Sequence, residues 1–211
     1  MSYILYTSEW ENDAQKNRKD IANEFYNGNI DRVKIYRLDS KTNFKDVWNN
    51  LDTYNGYNSI IDYVVVDTHG SPDKLYCGID LTDIMYFDNQ DIKTLIILGC
   101  KAGFIDRLDN NVASTFANIT NENPVIASDS NVIGIGELDE DSKPLVYKTQ
   151  DFDENDSFNN RETYGWLVYQ KKNNLKKCYS PVFHGKDPKR KMNLFRMIEY
   201  IESGEYLQWE N

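Results

Sequence analysis

Histidine is almost absent from this chain. Two occur in 211 residues, His69 and His184, so any chemistry that needs an imidazole falls to one of them. Cysteine is scarce as well: Cys77, Cys100 and Cys178. An odd number with no leader speaks against a disulfide framework and for a reducing compartment. No two of the three have the spacing of a zinc site. No apolar run approaches the ~18 residues of a membrane-spanning helix. Met1 to Thr7 lacks the basic and long apolar regions of a signal peptide and reads as a first strand. The expected location is the cytoplasm, or the exterior without a recognisable signal peptide. Basic residues are outnumbered, 24 against 34 acidic, for a net charge of −10. That balance argues against nucleic acid as a general partner. No Walker loop is present. Gly134-Ile135-Gly136 lacks the third glycine and following helix of a dinucleotide fingerprint.

What is present fits one globular domain. The chain is 40% hydrophobic and 27% charged, with 15 tyrosines, which is ordinary for a folded protein of this length. Strands are expected at residues 3–7, 32–38, 63–68, 94–98 and 125–129. Helices are expected from Ser8 or Asn12 to about residue 27, after Asp39 or Ser40 to residue 51, at 82–87 and at 110–119. Repeated alternation of strand and helix implies a parallel sheet covered on both faces. Residues 75–81 suggest a small hairpin. The expected division is a parallel α/β core over residues 1–136, an acidic flexible loop over 137–163, and a hairpin with a closing helix over 164–211. In that last part, 164–170 and 177–183 would pair about Asn173-Asn174, and 191–202 would be the helix. Charge is uneven. Residues 171–196 hold nine Lys or Arg against Asp187 alone, which reads as a solvated basic face or as a polyanion site, Lys171 to Arg196.

Two stretches organise the rest. Asp62 to Val66 is an apolar run that stops at Asp67-Thr68-His69-Gly70. Thr94 to Leu98 is another, stopping at Gly99-Cys100. Runs of this composition read as buried parallel strands, and open α/β sheets bind ligands beyond their strands' carboxyl ends. His69 and Cys100 would then emerge at one edge. A cysteine nucleophile needs a base, donors for an oxyanion and exposure. His69 is the natural base. The amides of Gly70 and Cys100 can supply the oxyanion hole. Asp67 is either an aid to His69 or a structural acid. Cys77 and Cys178 read as structural thiols. His184-Gly185 repeats the dipeptide after a weaker strand broken by Pro181.

A hydrophobic strand ending in His-Gly, followed by one ending in small-Cys, resembles the caspase-like cysteine peptidases of clan CD. The nearest resemblance is to bacterial clostripain-like, toxin cysteine protease domain and CHAT-type members. It rests on residues 60–130 and on pattern alone before them. It implies a caspase-haemoglobinase-like three-layer sandwich: a mostly parallel sheet flanked by helices, with a C-terminal antiparallel hairpin and closing helix. It implies His69 and Cys100 as catalytic dyad and a protein or peptide substrate. Ser128-Asp129 falls where Arg/Lys-specific members carry the acid of the S1 pocket, although an aspartate there also suits a turn. Leu98 departs from the metacaspases, which usually have an acid two residues before the cysteine. No cofactor is required by the resemblance. Cleavage after Arg or Lys would make Lys143, Lys148 and Arg161 the self-cleavage points, and activation by calcium or inositol hexakisphosphate is open. A toxin-type autoprocessing domain, switched on by a polyanion such as inositol hexakisphosphate, is one alternative. An inactive CHAT-like signalling scaffold is the non-enzymatic alternative. The oligomeric state is left open between a monomer and an assembly.

Overall fold

The structure is a computed structural model that describes residues 1–51, 61–134, 146–150, 165–179 and 191–209. In chain order, β1 (Ser2–Tyr6) leads through a 3-10 turn, Ser8–Trp10, into α1 (Glu11–Tyr26) and β2 (Val33–Arg37). Then come α2 (Lys41–Asn49), β3 (Ile61–Asp67), and three two-residue strands, β4 (Gly70–Ser71), β5 (Lys74–Leu75) and β6 (Ile79–Asp80). They are followed by α3 (Leu81–Ile84), β7 (Ile92–Ile97), α4 (Val112–Phe116), β8 (Val125–Ser128), β9 (Asn131–Gly134) and β10 (Val146–Gln150). The chain closes with β11 (Trp166–Lys172), β12 (Leu175–Tyr179), β13 (Lys191–Asn193) and α5 (Leu194–Glu202).

The central sheet runs β12-β11-β8-β7-β3-β1-β2. Its strands from β2 to β8 are parallel, and β11 is antiparallel to β8 and to β12. The protein is therefore α/β, with a mostly parallel sheet between helices and an antiparallel hairpin at one side. The β-branched runs explain why. Alternate side chains of a strand point to opposite faces, and here both faces are covered. On one, Leu5, Val64, Val66, Leu95 and Ile97 pack with Phe44 and Trp48 of α2, Ile84 of α3 and Phe116 of α4. On the other, Ile4, Val65, Ile96 and Ile126 pack with Ala14 and Ile21 of α1 and Ile198 of α5.

Several local expectations are corrected. Neither Ser8 nor Asn12 caps α1: Trp10 stands at its N-cap and makes no side-chain bond there. Ser40 does cap α2, its hydroxyl accepting from the Asn43 amide. The helix expected over 110–119 shortens to Val112–Phe116 because the amides of Asn118 and Ile119 turn to the carbonyls three residues back. The acidic segment is not all loop. Val146–Gln150 forms β10, flanked by β9 and β13 in a second sheet. That pairing also claims Lys191–Asn193, so α5 starts at Leu194 rather than Lys191. The hairpin turn stands as expected: Asn173 and Asn174 both adopt left-handed backbone, the requirement of a two-residue type I′ turn. The expectations for Lys143, Arg161 and His184-Gly185 lie outside the described residues.

Candidate active site

The order of the sheet makes a crevice before any side chain is considered. From β1 the chain moves to β2 at the edge. It then returns across β1 to β3 and continues outward to β7 and β8. The connections after β1 and β3 consequently leave on opposite faces, α1 on one and α3 on the other. The carboxyl ends of β1 and β3 flank this switch point, the preferred ligand site of open α/β sheets. Residues 7–10 and 67–70 line it, and the end of β7 lies next to β3.

His69 and Cys100 are level across the β3–β7 pair. Val66 pairs with Ile97, the Leu98 amide donates to the Val66 carbonyl at 2.9 Å, and each candidate lies three residues past that pair. Two glycines let the ends meet. A Cβ placed on Gly70 would lie 3.2 Å from the Gly99 Cα and 3.3 Å from the Cys100 carbonyl oxygen. One on Gly99 would lie 3.2 Å from the Leu75 side chain and 3.4 Å from the Thr68 carbonyl. The approaches of 3.2 and 3.3 Å are tighter than side chains normally tolerate, and the two backbones come this close because neither residue has a Cβ.

The hairpin after His69 fixes its backbone. The Tyr76 amide donates to the His69 carbonyl at 2.9 Å. Gly70 faces Leu75 in the β4–β5 pair, and that bond makes theirs a pair without mutual hydrogen bonds, so the Gly70 amide points away from β5. The imidazole is 58% exposed. Trp10 stands edge-on to it at 5.6 Å between centroids and 65°, and Tyr76 at 5.9 Å and 68°. Glu9 Oε1 is 3.7 Å from His69 Nε2, within ion-pair reach. Glu9, rather than Asp67, therefore contacts the imidazole. Asp67 shares the α1-side face of β3 but is buried. Burial first, then the neighbouring Asp13 and Glu9 carboxylates, pushes it up to about 7.

Cys100 is half-buried. The Val132 amide donates to its Sγ at 3.4 Å, and the Val132 carbonyl lies 3.9 Å from the same sulfur. An N–H directed at sulfur becomes a charge-assisted bond when the sulfur is thiolate. The next residue, Lys101, has a left-handed backbone at φ 53°. Non-glycine residues held there are uncommon and cluster at functional turns. The turn is held from β8: the Lys101 amide donates to Ser130 at 2.7 Å and the Gly103 amide to Ser128 at 2.9 Å. Cys178, by contrast, is buried in the core, and burial pushes its thiol up to about 12. Cys77 lies in the 3-10 turn Tyr76–Gly78 beside the hairpin.

Ser128 and Asp129 lie at the expected strand end, but both are enclosed. The Ser128 hydroxyl donates to the Ser130 carbonyl and accepts from the Ser130 amide. Asp129 Oδ1 accepts from the Ile105 amide at 2.8 Å, tying the 105–107 turn to β8. Tyr169 and Asn111 complete this support. The Tyr169 hydroxyl donates to the Gly103 carbonyl at 2.7 Å and accepts from Asn111 Nδ2 at 3.1 Å. Among the described residues no group of His, Cys, Asp and Glu is arranged to hold a metal ion.

Of the basic segment, Lys171, Lys172, Lys176 and Lys177 lie on the β11–β12 hairpin, Lys191 on β13 and Arg196 on α5. Lys171 faces Lys176 directly across β11–β12. Lys176 Nζ donates to the Asp109 carbonyl, and burial lowers its pKa. Among the described residues no helix is long and apolar enough to cross a membrane.

Glu9, Trp10, Tyr76 and Val132 were not anticipated as parts of the site. Glu9 and Trp10 follow the first strand, so their position past a carboxyl end was the available signal. No protein-family model matches the chain, and a search of curated proteins finds no match to it.

Proposed function

We propose that this chain is a cysteine endopeptidase of the caspase-like kind, with Cys100 as nucleophile and His69 as acid and base. The observation that carries the reading is the Gly70–Gly99 contact, which brings two matched strand ends together with an imidazole on one and a thiol on the other.

Cys100 gives its thiol proton to His69 and attacks the substrate carbonyl through Sγ, and the C–N bond breaks as His69 passes that proton to the departing amine. Water then attacks the thioester, His69 takes its proton, and the acid product leaves with the thiol restored. The Gly70 and Cys100 amides are the donors proposed for the oxyanion, and loss of one such donor typically costs ~10²–10³ in rate. Glu9 orients the imidazole and balances its charge when it is protonated. Cleavage after Arg or Lys rests on Asp129. Because that carboxylate is enclosed and engaged by Ile105, a guanidinium reaches it only when the 105–107 turn lifts. Self-processing at Lys148 likewise needs β10 to separate from β9 and β13, since Lys148 pairs with both.

The test is hydrolysis of fluorogenic peptides ending in Arg, Leu and Asp by wild type and Cys100→Ala. Cys100-dependent cleavage supports the peptidase, and preference for Arg that Asp129→Asn removes supports the pocket. Absence of cleavage with every peptide, with and without calcium or inositol hexakisphosphate, overturns it in favour of a scaffold. The facing Lys171 and Lys176 favour a second reading, activation by a polyanion. Like charges set opposite each other on a sheet are unfavourable, and a bound anion would relieve them. A thermal shift with inositol hexakisphosphate that Lys171→Gln abolishes would support it.

A further inference from the structure

The proposed reaction gives the site a direction. His69 hands its proton to the leaving amine, so the first residue on the amine side of the cleaved bond must lie against the imidazole. The sheet order separates the two halves of a substrate. Cys100 follows β7, whose outer neighbour is β8, and the sulfur contacts Val132 just beyond it. His69 follows β3, whose outer neighbour is β1, and the imidazole contacts Trp10 and Glu9 just beyond that strand. The acyl half therefore lies toward β8 and the amine half toward β1.

What waits on the β1 side is specific in chemistry. Trp10 and Tyr76 stand edge-on to the imidazole from two separate segments, one after β1 and one in the hairpin. Tyr76 is 54% exposed, although its backbone is pinned by the bond to His69. Tyr76, Trp10 and the imidazole group three aromatic rings at the mouth of the crevice. Charge on this side comes from Glu9 at the rim and from Asp13 on the first turns of α1. Aromatic faces beside carboxylates suit a cation: the ring quadrupole and the acid attract the same charge.

We infer that Trp10, Tyr76 and Glu9 form the leaving-side subsite and select Lys or Arg as the first residue after the cleaved bond. This rests on the peptidase reading above. It is separate from Asp129, which would serve the acyl side. Together the two make the preferred substrate a pair of basic residues, with cleavage between them.

The experiment uses the full chain and internally quenched peptides that share one acyl half and carry Arg, Gly or Asp as the first leaving-side residue. The expected result is kcat/KM highest for Arg, with Arg exceeding Gly by roughly tenfold, as an aromatic–cation contact supplies, and Asp lowest. Tyr76→Leu should bring the Arg-to-Gly ratio close to one, and Tyr76→Phe should keep it. Trp10→Leu provides the same readout if Tyr76→Leu does not fold. Equal rates across the series, or a ratio that survives both Leu variants, overturns the subsite and leaves the peptidase standing. Cleavage of none of the peptides overturns both.

Discussion

Gly70 and Gly99 touch backbone to backbone, with the Cβ position of each within 3.4 Å of the other's Cα. Each glycine directly adjoins a candidate catalytic residue, so a methyl group at either would act on the site before it acted on the core. Gly70→Ala meets the Gly99 and Cys100 main chain, which has no flexible end to move aside. Gly99→Ala meets the Leu75 side-chain tip and the Thr68 carbonyl. Overpacking of this kind costs ~1–3 kcal/mol. Both variants should lower Tm, and Gly70→Ala should slow peptide hydrolysis by more than its loss of folded protein explains. Equal specific activity per folded molecule in Gly70→Ala would remove the contact from the mechanism.

Glu9 should act through His69. Its carboxylate lies 3.7 Å from Nε2 and does not touch Cys100 in any described contact. A group that only positions another is expected to change the chemical step and to leave ground-state binding alone. Glu9→Gln should reduce kcat by about tenfold at nearly unchanged KM with a substrate whose leaving residue is Gly. Glu9→Asp should recover part of the loss. A rise in KM with constant kcat would instead make Glu9 a binding residue only.

The strands carrying the site were legible because strands of a parallel sheet buried on both faces read as unbroken β-branched runs. Val64-Val65-Val66 and Leu95-Ile96-Ile97 admit little else, and the spacing between them allowed the crossover that is found. The partners of His69 were not legible. Glu9 is 60 positions earlier in sequence, and its approach depends on β1 lying next to β3, which a single sequence does not reveal. Asp129 was legible in position but not in exposure. Nothing in Ser128-Asp129-Ser130 signals that the carboxylate turns inward to an amide of another loop. β10 was missed because Tyr147-Lys148-Thr149-Gln150 lacks an apolar run; its strand character comes from pairing with β9 and β13.

Asp67 should make stability fall as pH rises from the acid range to neutrality. Its carboxyl is buried and pushed up to about 7 from an ordinary value near 3.8. Between those values the folded state holds a proton that the unfolded state has lost, so stability is greatest at the acid end and declines toward pH 7, levelling above it. The span amounts to a few kcal/mol, at ~1.4 kcal/mol per pH unit. Asp67→Asn removes the charge that burial opposes. It should raise Tm at pH 8, have little effect at pH 4, and flatten the profile between. An unchanged profile would place the carboxylate in contact with solvent in solution.

The support beneath Cys100 should behave as one unit. The Tyr169 hydroxyl gives its proton to the Gly103 carbonyl and receives one from Asn111, whose Nδ2 also reaches the Phe104 carbonyl. Tyr169, Asn111 and Gly103 are buried, so a lost partner among them strands a polar group at ~1–3 kcal/mol. Tyr169→Phe and Asn111→Ala should each destabilise by that amount, and the double variant by less than their sum, since they share a bond.

Differential alkylation separates the thiols without any substrate. Cys178 is enclosed, its thiol pushed up to about 12 by burial, so almost none of it is thiolate near neutrality. Reaction requires the thiolate and access for the reagent. Cys100 is half-buried at the crevice with an amide directed at its sulfur. Native protein treated with iodoacetamide at pH 7 should be modified at Cys100 and spared at Cys178 by peptide mass mapping, with both modified in denaturant. His69→Ala should slow the Cys100 reaction, because the imidazole would no longer take the thiol proton. Labelling of Cys100 that is slow in the native protein and indifferent to His69 would mean that thiol and imidazole do not cooperate, and the scaffold reading would then account better for the fold.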